Sequence, residues 1–208
     1  AALDKHKHWG SLVDVYDPVM KPSEWCRDQI KTVNTNPEDI KNVIQTHLHL
    51  DHSGAIGHFP NATHITQRIE YDYAFNPDWF SQPAYIKEDF DKPNIRWKFL
   101  QGKKTDYFDL YGDGVIKIIF TPGHTPGHQS VLVKLPKTGH MLLTGDACYT
   151  GDHWCDKCLP GLVASASDAA DSVAKLRKIA KETNAKVVWG HDPVTWLDWN
   201  KAPMFYYD

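Results

Sequence analysis

Nine consecutive residues, Thr46-His47-Leu48-His49-Leu50-Asp51-His52-Ser53-Gly54, constrain this chain more than any other stretch. Three imidazoles and a carboxylate fall within six positions, a donor set suited to zinc and its first-row neighbours. An ordinary loop has no packing reason to interleave such groups with leucines. Ahead of them Asn42-Val43-Ile44-Gln45-Thr46 reads as a short buried strand, and behind them Ser53-Gly54 breaks the pattern. The donors are therefore expected on a loop leaving a strand end, where rigid scaffolds carry their chemistry. Along an extended segment His47, His49 and Asp51 would point to one side and His52 to the other. That division suggests two neighbouring metals approached from different sides.

Later stretches offer partners for this loop. Thr121-Pro122-Gly123-His124-Thr125-Pro126-Gly127-His128 forces a rigid turn after a strand and presents His124 or His128. Met141-Leu142-Leu143-Thr144 reads as a strand that releases Gly145-Asp146, and Lys186-Val187-Val188-Trp189-Gly190 as one that delivers His191-Asp192. Metal-binding candidates thus leave four separate strand ends, the place where sites gather in layered α/β proteins.

The intervening elements follow from local signals. Ser23 is expected to cap a helix from Glu24 to about Val33, and Asn36-Pro37-Glu38-Asp39 to start a short turn. Thr63–Thr66 and Ile95–Leu100 read as strands, Gln67–Phe75 as a helix, and Tyr107–Tyr111 with Val115–Phe120 as a hairpin about Gly112-Asp113-Gly114. Gln129–Leu135 is another strand, and Ala166–Glu182 an amphipathic helix. Residues 76–101 are irregular and aromatic, with Trp79, Phe80, Tyr85, Phe90, Trp97 and Phe99 covering either a site or the core.

Composition narrows the class. A chain of 208 residues, 41% hydrophobic and 24% charged, is read as one globular domain over 1–208 and not as a disordered one. A net charge of -3 lacks the Lys/Arg footprint of a nucleic-acid binder, and no apolar run reaches membrane-spanning length. Cys26, Cys148, Cys155 and Cys158 do not form a disulfide framework and fit a reducing, cytoplasmic setting. Cys155-x-x-Cys158 after His153 is a lone pair, read as an ordinary reduced loop. The first residues show neither an initiating Met nor a signal-peptide core, so a processed or truncated beginning is expected, with His6 and His8 on an unstructured polar end.

Taken in order, His47-x-His49-x-Asp51-His52, His124 in a Thr-Pro-Gly-His turn, Asp146 after Leu-Thr-Gly and His191 after a strand resemble the metallo-β-lactamase superfamily. Within it, Thr46–Gly54, Thr121–Ser130, Leu142–Thr150 and Gly190-His191-Asp192 are most similar to the N-acyl-homoserine lactonases. The resemblance implies an α/β fold, the four-layer αββα sandwich, with its first N-terminal strands missing or shortened. It implies two zinc ions, with iron, manganese or cobalt as alternative metals. His47, His49 and His124 would hold one ion, Asp51, His52 and His191 the other, and Asp146 would bridge them. His128 has no ligand counterpart and is expected to orient a ligand.

The same resemblance implies a lactone-opening hydrolase of the kind that quenches quorum signals. A hydroxide held between the metals would attack the ring ester, Tyr149 would hydrogen-bond the oxyanion, and Asp51 would shuttle the proton. Trp79 and Phe80 are expected to contact the acyl chain. Two rivals stand beside this reading: a thioesterase of the glyoxalase II type on the same ligands, and a non-catalytic metal-binding member. The expected partner is a small lactone, not a nucleic acid or a membrane, and a homodimer is left open.

Overall fold

Two sheets carry the fold in a computed structural model that describes residues 5–16, 19–102, 106–205 and 207–208. The first is wholly parallel, in the order β1 (Asn42–Ile44), β2 (Thr63–Gln67), β3 (Arg96–Leu100). The second runs β4 (Tyr107–Asp109), β5 (Ile116–Phe120), β6 (Gln129–Leu135), β7 (Gly139–Leu143), β8 (Lys186–Val188). Its pairings are antiparallel up to β7, and β7–β8 is parallel. The helices are α1 (Lys5–Trp9), α2 (Val13–Tyr16), α3 (Cys26–Gln29), α4 (Leu50–Ser53), α5 (Arg68–Phe75), α6 (Lys87–Phe90), α7 (Gly151–Trp154), α8 (Ala166–Thr183) and α9 (Pro193–Asp198).

Strand alternation decides the layers. Ile118 of β5 meets Ile65 of β2 and Leu100 of β3, with Ile44 and Phe108 packed around them, so this face closes the core between the sheets. Its neighbour Ile119 points the other way and joins Leu132 and Leu142 against Leu176 and Ile179 of α8. Each such side chain taken out of water stabilises the docking of α8 by about 1.5–3 kcal/mol. The helix starts where the Ser165 hydroxyl accepts the Asp168 N–H and stops at Asn184 in the left-handed region. On the far face of the first sheet, Trp97 and Ile95 pack with Leu48, Ile56, Phe90, Tyr85 and Ala74 of α5. The layers are therefore α5, sheet, sheet, α8, the expected αββα order.

Several local expectations change. β1 is half-buried, not buried, because it is an edge strand with one partner. The helix expected from Ser23 begins at Cys26 and tightens to 3-10 over Ile30–Val33 before Asn34 turns left-handed. It is the Ser23 carbonyl that is engaged there, by Gln29 Nε2 at 2.7 Å. The polar end is ordered where it is described: α1 and α2 are helical, Val13 is buried, and His8 Nε2 lies 2.9 Å from Asp89 Oδ1. Ala1 to Asp4 lie outside the described residues. No strand precedes β1 among the described residues, and none of the helices is long and apolar enough to cross a membrane.

Candidate metal centre

The histidine loop begins where the Thr46 carbonyl accepts the Gln129 N–H at 2.9 Å, which ties the end of β1 to the start of β6. His49 is extended, with φ -66° and ψ 159°, but Leu50–Ser53 then winds into α4. The expected alternation through His52 therefore stops at His49. The helical turn brings the His52 ring to 4.2 Å from that of His47 and carries Asp51 to the half-exposed rim. His47 and His52 are thus set by a turn instead of an extended strand.

Asp146 follows β7 in the turn Gly145–Ala147 and is almost wholly buried. Its Oδ2 lies 3.9 Å from His47 Nε2, 3.4 Å from His124 Nε2 and 3.2 Å from His191 Nε2, and its Oδ1 lies 3.3 Å from His52 Nε2. Asp51 Oδ2 is 3.3 Å from His52 Nε2 and 3.7 Å from His191 Nε2. His49 Nδ1 and His124 Nε2 are 2.9 Å apart. The donors fall into three overlapping trios: His47–His49–His124, His47–His52–Asp146 and Asp51–His52–His191. All seven residues expected from the sequence are thus brought together, and no cysteine joins a trio among the described residues.

The donors fit a divalent metal. Nε2 of His47, His49 and His52 and Oδ1 of Asp146 are buried without a hydrogen-bond partner, a costly state for polar atoms unless a cation satisfies them. Burial holds His47 well below the usual imidazole range and His49 at about 3, so both rings are neutral, the form that ligates. His52 is also buried, but the adjacent Asp146 and Asp51 carboxylates raise it to about 10. Asp146 resists burial in the same way: the hydrogen bond from His191 and the nearby His52 and His47 imidazoles hold it well below the carboxylate range. Two carboxylates draw positive charge to this point, whether a proton on His52 or a metal ion.

Neighbouring groups set the ligand orientations. The Leu162 carbonyl, 2.9 Å from His124 Nδ1, can only accept, so Nδ1 carries the proton and Nε2 keeps its lone pair toward the other donors. His128 stands outside these trios, and its Nε2 accepts the Asp146 N–H at 3.0 Å. Tyr149 leaves the same β7 segment, with its hydroxyl 3.3 Å from His124 Nδ1 and its ring 5.0 Å from that of His191. The backbone holds the two together, because the His191 N–H donates to the Tyr149 carbonyl at 3.0 Å and the Gly190 N–H to Cys148 at 3.1 Å. Burial and the Asp146 and Asp51 charges push the Tyr149 phenol up, so it stays protonated. Cys148 beside it is fully buried, its thiol pushed up to about 12, and it serves packing.

Of the aromatics expected to cover either a site or the core, Tyr85 packs its ring at 4.6 Å against His49, and contact with the acyl chain was expected from Trp79 and Phe80. Those two lie edge-on to each other at 5.9 Å and are exposed, Trp79 to 85%. Asp192 caps α9 through the Val194 and Thr195 N–H groups and also accepts the Gly151 N–H at 3.0 Å, which pins the His191 turn to α7. The Asp192-Pro193 pair was the available signal for that cap. Glu70 is fully buried on α5, and its signal was an acid placed four residues before Ala74, on the buried side of the helix.

Comparison with known proteins agrees with this geometry. Residues 11–191 match the metallo-beta-lactamase superfamily. The chain is 57% identical over 205 residues to N-acyl homoserine lactonase AttM of Rhizobium radiobacter, covering 99% of this chain and 78% of that protein. It is 35% identical over 175 residues to N-acyl homoserine lactonase of Bacillus sp, covering 84% of this chain and 65% of that one. Among solved structures it is similar to N-acyl homoserine lactone hydrolase with the product N-hexanoyl-L-homoserine bound at the catalytic metal center. There the identity is 29% and the TM-score 0.78, over 89% of this chain and 69% of that chain.

Proposed function

This chain belongs to the metallo-beta-lactamase superfamily and, within it, to the N-acyl homoserine lactonases, and from that premise we propose that it hydrolyses the ring ester of N-acyl homoserine lactones. The reading takes residues 1–208 as one domain of that superfamily. His47, His49 and His124 would hold one zinc ion, Asp51, His52 and His191 a second, and Asp146 would serve both. The observation that carries it is Asp146, a buried carboxylate with imidazoles of both outer trios within 3.2–3.9 Å of its oxygens. Bound there, such a metal pair supplies Lewis acidity and, by lowering the pKa of water, a nucleophile at neutral pH.

The chain's own groups do the rest. Addition of water to the ring carbonyl places negative charge on the carbonyl oxygen. Because His124 Nδ1 gives its proton to Leu162, the Tyr149 phenol is free to donate its own to that oxyanion. The ring C–O bond then breaks, and the leaving alkoxide needs a proton. Asp51 stands half-exposed at the rim. Burial works against its charge, but the nearby His52 imidazole keeps it ionised, so its carboxylate can take the proton of the attacking water and return it to the alkoxide. Trp79 and Phe80 would offer an apolar rim to the acyl chain. The unpaired cysteines support action in the reducing cytoplasm.

A thioesterase of the glyoxalase II type would use the same seven donors. Tyr149, set against His124 and His191, favours the lactone. Offering the zinc-loaded protein N-hexanoyl-homoserine lactone and S-lactoylglutathione side by side tests this: lactone turnover is expected, and thioester turnover without it would overturn the assignment.

A further inference from the structure

A fully buried carboxylate lies outside the seven donors and has no part in the steps above. Glu70, in the first turn of α5, is fully buried, and four donors converge on it. Its Oε1 accepts the Leu48 N–H at 3.0 Å and the Tyr85 hydroxyl at 3.2 Å. Its Oε2 accepts the Thr125 hydroxyl at 2.5 Å and the Gly127 N–H at 3.2 Å. Leu48 separates His47 from His49, Thr125 follows His124, and Gly127 precedes His128. Tyr85, held by the same oxygen as Leu48, is the residue whose ring packs against His49.

The approach is close enough to dictate sequence. A Cβ on Gly127 would stand 2.3 Å from the Glu70 nitrogen, so only glycine lets the Pro-Gly turn seat on the helix. A carboxylate accepts through two rigid, coplanar oxygens, which here bind one loop on Oε1 and the other on Oε2. None of these bonds reaches Asp51, His52 or His191.

We propose that Glu70 is a positioning residue that sets the spacing between the His47–His49 pair and His124, and so tunes one of the two metal positions selectively. This rests on the metal-centre reading given above. Groups that orient ligands typically change metal affinity by roughly 10- to 100-fold when removed. Glu70→Gln keeps the size of the side chain but turns one acceptor into an NH2 that must face a donor, whichever way the amide is set.

The test is a Co2+ titration of the stripped full chain, parent against Glu70→Gln, following ligand-field absorption and chelator competition, with thermal unfolding alongside. The parent is expected to bind two ions. The variant should hold one at parental affinity and bind the other roughly 10- to 100-fold more weakly. Thr125→Val removes one donor at near-constant shape and should weaken the same position to a smaller degree, which keeps the inference testable if Glu70→Gln does not fold. Both ions bound as tightly as in the parent would overturn it. So would equal weakening of both with a lowered Tm, which would mark Glu70 as a general support of the fold. A parent that binds no ion would instead overturn the metal-centre reading itself.

Discussion

The Nε2 of His128 accepts the backbone N–H of Asp146 at 3.0 Å, so the carboxylate that lies among the donors of both sides is held by a residue outside the three donor trios. Because Nε2 accepts, the proton sits on Nδ1 and goes to Thr121 Oγ1 at 2.9 Å. Thr121 then donates to Ser130 Oγ at 2.9 Å, and Ser130 to the Thr144 carbonyl at 2.8 Å, which closes the path back to β7. Gly145 takes φ +53° beneath the ring, and a Cβ there would meet His128 Nε2 at 2.9 Å.

His128→Phe fills the same space but cannot accept the Asp146 N–H. Zinc affinity, measured by chelator competition, is expected to fall roughly 10- to 100-fold although no ligand has changed. Affinity equal to the parent's would remove His128 from the support of Asp146.

The same ring gives a pH prediction. Burial pushes His128 from an ordinary 6.5 down to about 3. Below pH 6.5 the unfolded chain therefore takes up a proton that the folded ring refuses until about pH 3. The stability is fully present above 6.5 and is lost as the pH falls through that window, by about 1.4 kcal/mol per pH unit for one proton. His49, also held at about 3 by burial, adds in the same sense. His52 does not, because its raised value makes its own contribution vary only above 6.5. Urea midpoints of the stripped protein at pH 6 and pH 4.5 should drop less for His128→Phe than for the parent; parallel lines would contradict the assignment.

Tyr149→Phe deletes the proposed oxyanion donor and leaves the seven donors in place. Steady-state kinetics on a homoserine lactone should show kcat lowered about 10²- to 10³-fold with KM nearly unchanged, at the parent's metal content. A variant as fast as the parent would leave the phenol without this role.

Gly123 takes φ +137°, and a Cβ on it would lie 2.3 Å from the Ala169 nitrogen in α8. Gly123→Ala should cost at least the about 1–3 kcal/mol typical of overpacking, seen as a lowered Tm, because the turn that presents His124 and the start of α8 cannot both keep their places. An unchanged Tm would mean that the turn yields freely.

The parts that were legible in the sequence and the parts that were not differ in physical kind. The convergence of His47, His124, Asp146 and His191 could be read because each leaves a strand whose apolar pattern is local, and a donor at a strand end needs no other information. The helix Ala166–Thr183 declared itself through its stripe of Ala169, Val173, Leu176 and Ile179. The four-residue helix Leu50–Ser53 could not be read, since so short a turn is fixed by what its ends contact and not by its own propensity. The place of Glu70 four residues before Ala74 puts it on the buried side of α5, but the approach of Leu48 and Gly127 to its carboxylate is not a local property of that helix. The order of α1 likewise depends on Asp89, eighty-one positions from His8.

The central claim is that seven converging donors hold a metal pair that opens lactones. Its most direct test is N-hexanoyl-homoserine lactone hydrolysis by the chelator-stripped protein, followed as zinc is added back. Hydrolysis should be absent at first and climb until two zinc ions are bound per chain. Hydrolysis that persists after stripping, or that fails to appear at two bound ions per chain, would contradict the account.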